Sequence, residues 1–182
     1  DANYHAPEIA FSAPYLSEMV RQEMYNRYGE KAYEDGYRIT TTITRKVQQA
    51  AQQAVRNNVM DYDMRHGYRG PSNVLWKVGE GAWDSKKITD SLKALPTYGP
   101  LRPAVVTQAD PQEAVAMMAD GTSVSLRMEG VRWARPYRSD TLQGPTPRKV
   151  TDVVQTGQQI WVRQVGDAWW LAQVPDVNSA LV

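Results

Sequence analysis

Apolar residues recur along this chain with two different periods, and the change of period divides it. After a lead-in (residues 1–13) that holds Pro7 and reads as extended, Leu16, Met19, Val20 and Met24 follow the spacing of one helix face. Pro14 suits the first turn of that helix, where a missing N–H costs no hydrogen bond, and Gly29 suits its C-cap. Past a turn at Glu34-Asp35-Gly36, Tyr37, Ile39, Thr41 and Ile43 alternate with Arg38, Thr40 and Thr42. Alternation among β-branched residues predicts a half-buried strand. Thr44 then caps a second helix with Val47, Ala51, Ala54, Val55 and Val59 on its inner stripe, ending near Gly67.

Beyond Gly70-Pro71 short strands take over, at Val74–Val78, Ala104–Gln108, Ala114–Ala119, Thr122–Met128, Ile160–Val165 and Ala168–Val174. Asp120-Gly121 predicts a type I′ hairpin turn, and Gly166-Asp167, with glycine first, a type II′ turn. Asp84 or Ser85 caps a short helix over Lys86–Leu95, inserted early among the strands. The pattern predicts an α+β chain. A helix-strand-helix linker arm (1–64) precedes a small antiparallel OB-like β-barrel (65–177), closed or nearly so, with one short inserted helix.

Charge sharpens this division. The 182 residues carry 21 Lys and Arg against 20 Asp and Glu, a formal net charge of +1. Residues 1–64 hold 7 basic against 9 acidic side chains and residues 65–182 hold 14 against 11, so a mildly basic barrel follows a mildly acidic arm. With no Cys there is no disulfide framework, thiolate nucleophile or Cys-ligated zinc site. Ten Tyr and six Trp beside one Phe indicate aromatics that serve half-wet surfaces as well as a core. The chain starts at Asp1 without a signal-peptide pattern and stops where apolar character resumes at Ser179-Ala180-Leu181-Val182, so it reads as a piece of something longer.

Catalytic signatures are missing. No Ser has Lys three positions later, and there is no G-x-S-x-G elbow, P-loop or G-x-G-x-x-G. Lys77-Val78-Gly79 matches a K-T-G strand only loosely. Asp61, Asp63 and His66 have donor types for a hard cation, but read equally as a polar helix end in solvent; Glu34-Asp35 reads as a turn and His5 as inert. No metal or cofactor is expected. The informative stretch is Arg127 to Lys149, where Arg127, Arg132, Arg135 and Arg138 are interleaved with Trp133 and Tyr137. A loop with three Pro follows over 136–148. Arg beside aromatics suits a contact surface. The competing reading packs Trp133 into the barrel while the arginines lie on its surface. Of Trp169 and Trp170, adjacent on a strand, one faces the core and one faces out. Trp76 and Trp83 read as packing residues.

Two sets of motifs carry a resemblance. Gly36-Tyr37-Arg38-Ile39-Thr40-Thr41-Thr42-Ile43 with Gln48-Gln49-Ala50-Ala51 is similar to the linker after the glycosyltransferase domain of class A penicillin-binding proteins, many of which have Asp in place of Thr44. Tyr68-Arg69-Gly70-Pro71, Tyr98-Gly99-Pro100-Leu101, Gly130-Val131-Arg132-Trp133-Ala134-Arg135-Pro136 and Gly157-Gln158-Gln159-Ile160-Trp161-Val162 resemble the OB-like insertion of the Gram-negative members. The resemblance implies the periplasmic portion of an inner-membrane-anchored, bifunctional peptidoglycan synthase, with residues 178–182 opening its transpeptidase domain. It carries over no catalytic residue, because neither enzyme's motifs are present. It implies a regulatory docking segment whose partners are an outer-membrane lipoprotein activator and the catalytic domains of the same chain, with no nucleic acid and no membrane contact from this segment itself. Arg127, Arg132, Trp133, Arg135, Tyr137 and Arg138 are the candidate contacts. The alternative is an OB module that binds glycan or single-stranded nucleic acid directly, although a net charge of +3 is weakly basic for tracking phosphates.

Overall fold

A computed structural model describes residues 13–176. Its contacts divide into two compact units between Arg56 and Asn57, each treated by itself below. In the first unit, α1 (Pro14–Tyr28) starts on Pro14 and stops at Gly29, whose φ of 59° turns the chain out of the helix. A single helical turn that the periodicity does not reveal, α2 (Lys31–Glu34), follows at once. Leu16, Val20 and Met24 are half-buried, whereas Met19 is 70% exposed and no residue of α1 is buried. Aromatic pairs take the place of a core. Tyr28 stacks on Tyr37 at 4.9 Å and Tyr25 meets Tyr33 at 6.2 Å, while the Arg21 guanidinium donates to the Tyr33 hydroxyl at 2.7 Å.

The expected strand over Tyr37–Ile43 does not form; residues 36–44 are irregular and Tyr37, Ile39 and Ile43 are more than 40% exposed. Alternation supplies a strand with two faces but not with a neighbour. Among the described residues no second strand offers a ladder, so the backbone groups stay with solvent. The helix after it, α3 (Arg45–Arg65), begins as expected, with the Val47 N–H directed to Thr44 Oγ1 at 3.4 Å. Its predicted stripe is only partly right. Val47 is 62% exposed, and burial is reached at Met60 and Asp63, in the last turns, which belong to the second unit.

The second unit is a curled sheet. After β1 (Asn73–Val74) and α4 (Ser85–Lys93) come β2 (Arg102–Ala109), β3 (Glu113–Met118) and β4 (Ser123–Arg127). Next are a helical turn α5 (Met128–Val131), a ribbon of β5 (Tyr137–Ser139) and β6 (Leu142–Gln143), a 3-10 turn at Val150–Asp152, and the long hairpin β7 (Gln158–Val165) and β8 (Ala168–Ala172). All pairings are antiparallel: β4 with β3, β3 with β2, β2 with β7, and β7 with both β1 and β8. The strand expected over Val74–Val78 shortens to β1, because Leu75 to Val78 leave the sheet in a turn. Asp84, as expected, caps α4 by accepting the Lys87 N–H at 2.8 Å.

Curvature comes from a bulge at Thr107, where the β2–β3 register shifts between Val106 and Gln108. It brings β4 toward β8, but no ladder joins them and the sheet is not a closed barrel. Instead α5 lies in the seam. Gly130 allows the approach, since a Cβ there would sit 2.8 Å from the Trp169 carbonyl oxygen. The interior holds Ala104, Val106, Leu126, Val131, Ile160, Val162 and Leu171, all at most 1% exposed. Apart from Val131 of α5, these are alternate positions of their strands. The opposite face of β7 and β2 is covered separately: Trp161 packs with Met60 and Leu101, and Val105 packs with Trp76, Ile88 and Leu92.

Of the two hairpins, Gly166-Asp167 is the two-residue turn expected, with φ of 59° at the glycine and Val165 paired to Ala168. The β3–β4 turn differs. Asp120 keeps a negative φ, and Gly121 alone is positive, at 84°. The Gly121 N–H bonds the Met118 carbonyl at 3.0 Å and the Met118 N–H bonds Thr122, a three-residue loop with a glycine bulge instead of type I′. Asp120 favours this form because its Oδ1 accepts from both the Thr122 N–H and hydroxyl. Those two bonds hold its carboxyl below the usual aspartate range.

Candidate partner-binding surface

The six candidate residues lie on the segment that runs from β4 through α5 to the β5–β6 ribbon. Three backbone features fix that segment. Tyr68 bridges Pro136, its N–H donating to the Arg135 carbonyl at 2.7 Å while the Tyr137 N–H donates back at 2.9 Å. Gly67, at φ 100°, sits so close that a Cβ would meet the Arg135 carbonyl at 2.7 Å. The Gly144 N–H closes the ribbon on the Pro136 carbonyl at 2.7 Å, and the Gln143 amide donates to the Arg65 carbonyl. The region without periodicity is therefore an ordered ribbon, held by backbone bonds that leave no mark in the apolar pattern.

On this frame the candidates take different roles. Trp133 is half-buried; its indole N–H donates to the Leu171 carbonyl at 3.0 Å and its ring stands edge-on to Tyr68 at 5.9 Å. Its one polar atom is thus committed inside the domain, as the packing reading requires. Arg135 donates through Nε to the Gly144 carbonyl at 2.8 Å, which spends one edge of the guanidinium on the ribbon and leaves the residue exposed. The Tyr137 hydroxyl donates to Asp140 at 2.8 Å, and that bond holds its pKa above the usual tyrosine range. Arg132 and Arg138 are exposed without a side-chain partner among the described residues. Arg127, 79% exposed, reaches only to 4.0 Å from Glu113. These residues do not converge on one pocket. Arg127 borders a hollow with Trp169 and Trp170, and Trp133 borders another with Asp61, Met64, Arg65 and Gln143. Exposed cations spread along one stretch of chain, here called the Arg127–Arg138 ridge, suit a broad contact and not the holding of a small molecule.

A second group was legible only in part. Asp63 is 4% exposed, and its carboxylate takes both Arg69 guanidinium nitrogens, at 2.7 and 3.1 Å. Arg69 also donates to the Val174 carbonyl at 2.8 Å, and the Asp176 N–H reaches Asp63 at 3.3 Å. The Gln173 side chain accepts from the Arg69 N–H and donates to the Gly67 carbonyl. This network ties the last turn of α3 and Tyr68–Arg69, where the chain enters the domain, to residues 173–176, where it leaves. Asp63, one of the carboxylates with metal-ligand character, is thus spent on an arginine, and the His66 Nδ1–H donates to the Tyr62 carbonyl at 2.8 Å. The sequence signal for the clamp is faint: an acid near the end of the helix, a glycine at Gly67, and an arginine just beyond it. Of the tryptophans, Trp169 packs on the interior and Trp170 lies on the outer face opposite Arg163, and Trp76 is buried.

Comparison with known proteins agrees with this architecture. Residues 68–177 match the penicillin-binding protein OB-like domain. The chain is 87% identical over its whole length to penicillin-binding protein 1A of Escherichia coli, of which it covers 21%, and 42% identical over 98% of its length to the Vibrio cholerae protein of that name, of which it covers 22%. The crystal structure of penicillin-binding protein 1A from Haemophilus influenzae superposes with a TM-score of 0.60 at 41% identity, over 91% of this chain and 23% of that one. The chain thus spans about a fifth of the length of the curated relatives it matches. By the match over 68–177 it belongs to the penicillin-binding protein OB-like domain family.

Proposed function

We propose that this chain is a non-catalytic docking and regulatory segment of a bifunctional peptidoglycan synthase, lying in the periplasm and receiving an outer-membrane lipoprotein activator on the Arg127–Arg138 ridge. The observation that carries the reading is the set of exposed arginines on this segment: Arg127 at the end of β4, Arg132 just after α5, and Arg138 on the β5–β6 ribbon, which backbone bonds pin to the domain. A rigid display lowers the entropy lost when a partner binds, and fixed cations select an acidic partner surface. Among the described residues no helix is long and apolar enough to cross a membrane.

Regulation would act by linkage. A partner changes activity only if it binds one arrangement of the flanking domains better than another. The Asp63–Arg69 clamp supports this, because it couples the segment entering the domain to the one leaving it. The test is binding of the purified lipoprotein to the chain with Arg132→Glu and Arg138→Glu combined. Both residues are exposed, so the fold is expected to survive. A loss of at least tenfold in affinity is expected, greater at low salt; unchanged affinity refutes the ridge as the contact surface.

A further inference from the structure

The outer face of β7 carries a cleft of about 500 Å³ that the docking reading does not use. This lies within the roughly 300–1,000 Å³ typical of small-ligand sites. Its floor is β7, where Gln159 and Trp161 share the face opposite Ile160 and Val162. One wall is Tyr98, 42% exposed and edge-on to Trp161 at 5.2 Å; the other is the chain from Tyr68 to Asn73. The cleft lies wholly inside the second unit.

Its polar groups fall into two classes. Some are spent on the fold: the Arg69 guanidinium on Asp63 and Val174, the Gln173 amide on Arg69 and Gly67, and the Asn73 side-chain oxygen on the Val74 N–H. The Ser72 and Tyr98 hydroxyls, the Trp161 indole N–H and the Gln159 side chain have no such bond among the described residues, and Gln159 is the one amide among them. It is 7% exposed, it lines the cleft, and its side-chain amide has no hydrogen bond among the described residues. The amide is not sealed in either, since the one sealed side-chain polar atom lacking a partner there is Arg163 Nε. Open to the cleft, the amide is available to a ligand that supplies both a donor and an acceptor. The amide presents one donor and one acceptor side by side, the complement of another amide. With Arg69 neutralised, the lining offers no free charge, and the open Tyr98 ring is a flat surface for stacking.

From this geometry we propose that the cleft binds a neutral acetamido sugar of a glycan chain. The acetamido group pairs with Gln159 and the sugar face lies on Tyr98. The neutral lining disfavours a charged peptide, and the stacking ring has no task in a purely backbone-paired strand. The proposal is independent of the Arg127–Arg138 ridge.

The experiment titrates the isotope-labelled chain with the tetramer of N-acetylglucosamine and follows the Gln159 side-chain amide and Trp161 indole signals by NMR. Saturable shifts at both are expected, at least tenfold weaker in Gln159→Met and in Tyr98→Ala, and at least tenfold weaker with a glucose tetramer, which lacks the acetamido group. Tyr98→Ala alters a part-exposed position, so it decides the matter if Gln159→Met disturbs the sheet. Absence of a saturable shift, shifts that survive both substitutions, equal binding of the glucose tetramer, or binding of a short acidic peptide in place of the sugar would overturn the proposal.

Discussion

Replacing Arg69 with Met isolates the clamp between the chain entering the domain and the chain leaving it. The Asp63 side chain is 6% exposed and that of Arg69 30%, so the two halves of the pair are not equivalent. Removing Arg69 strands a carboxylate with almost no access to water. It also deletes bonds of 2.7 and 3.1 Å to Asp63 and one of 2.8 Å to the Val174 carbonyl. Breaking a buried pair from one side costs about 3–5 kcal/mol. The loss is expected near the lower end, at about 3 kcal/mol, because the Asp176 N–H still reaches Asp63. Asp63→Asn keeps the shape and leaves an arginine that can turn to solvent, so its expected cost is smaller, about 1–2 kcal/mol. All six Trp lie in the second unit, which makes tryptophan fluorescence in urea a report on that unit alone. With a slope of about 2 kcal/mol per molar urea, the midpoint should fall by about 1.5 M in Arg69→Met and by under about 1 M in Asp63→Asn. Equal shifts, or the reverse order, would refute the argument from unequal burial.

Further expectations follow from single side chains. Burial raises the Tyr68 phenol above its ordinary pKa near 10. Above pH 10 the unfolded chain therefore loses a proton that the folded domain keeps, and stability should fall with rising pH by up to about 1.4 kcal/mol per unit. Tyr68→Phe should abolish that slope and leave stability at pH 7 nearly unchanged, checked by urea midpoints across the alkaline range. Gly157→Ala should prevent cooperative folding, since its φ is 89° and a Cβ would lie 2.0 Å from the Trp76 carbonyl oxygen. Gly166→Ala, in open space, should cost only about 1–2 kcal/mol by thermal melting. Trp133→Phe should cost about 1 kcal/mol for the bond to Leu171 and Trp133→Ala about 3–5, while neither change weakens lipoprotein binding in the folded fraction.

The sequence was most legible where the local signal and the tertiary need coincide. Pro14, Gly29, Thr44 and Asp84 mark helix ends because caps are local chemistry, and each stands where expected. The strands of the second unit were readable because alternation there reflects a real inside and outside, Val124 and Leu126 against Ser123 and Ser125. Tyr37–Ile43 shows the limit, since a strand needs a neighbour that its own pattern does not specify. The β3–β4 turn failed on a finer point: Asp-Gly serves two turn types, and the Asp120 bonds to Thr122 decide between them. The candidate surface was legible as a composition of Arg and aromatics but not as roles, for Trp133 differs from Arg132 only by which way the chain turns after α5. Gln159 is one polar residue on the outer face of β7, and nothing in the sequence tells that its neighbours leave its amide without a partner.

The central claim is that the Arg127–Arg138 ridge is where the regulator binds, and hydrogen exchange of the chain alone and in complex with the lipoprotein tests it most directly. Slowed exchange should be confined to peptides spanning residues 127–144, with any secondary protection at 173–176 through the clamp. Full complex formation with those peptides unchanged and protection elsewhere on the domain, or no complex at all, would contradict it.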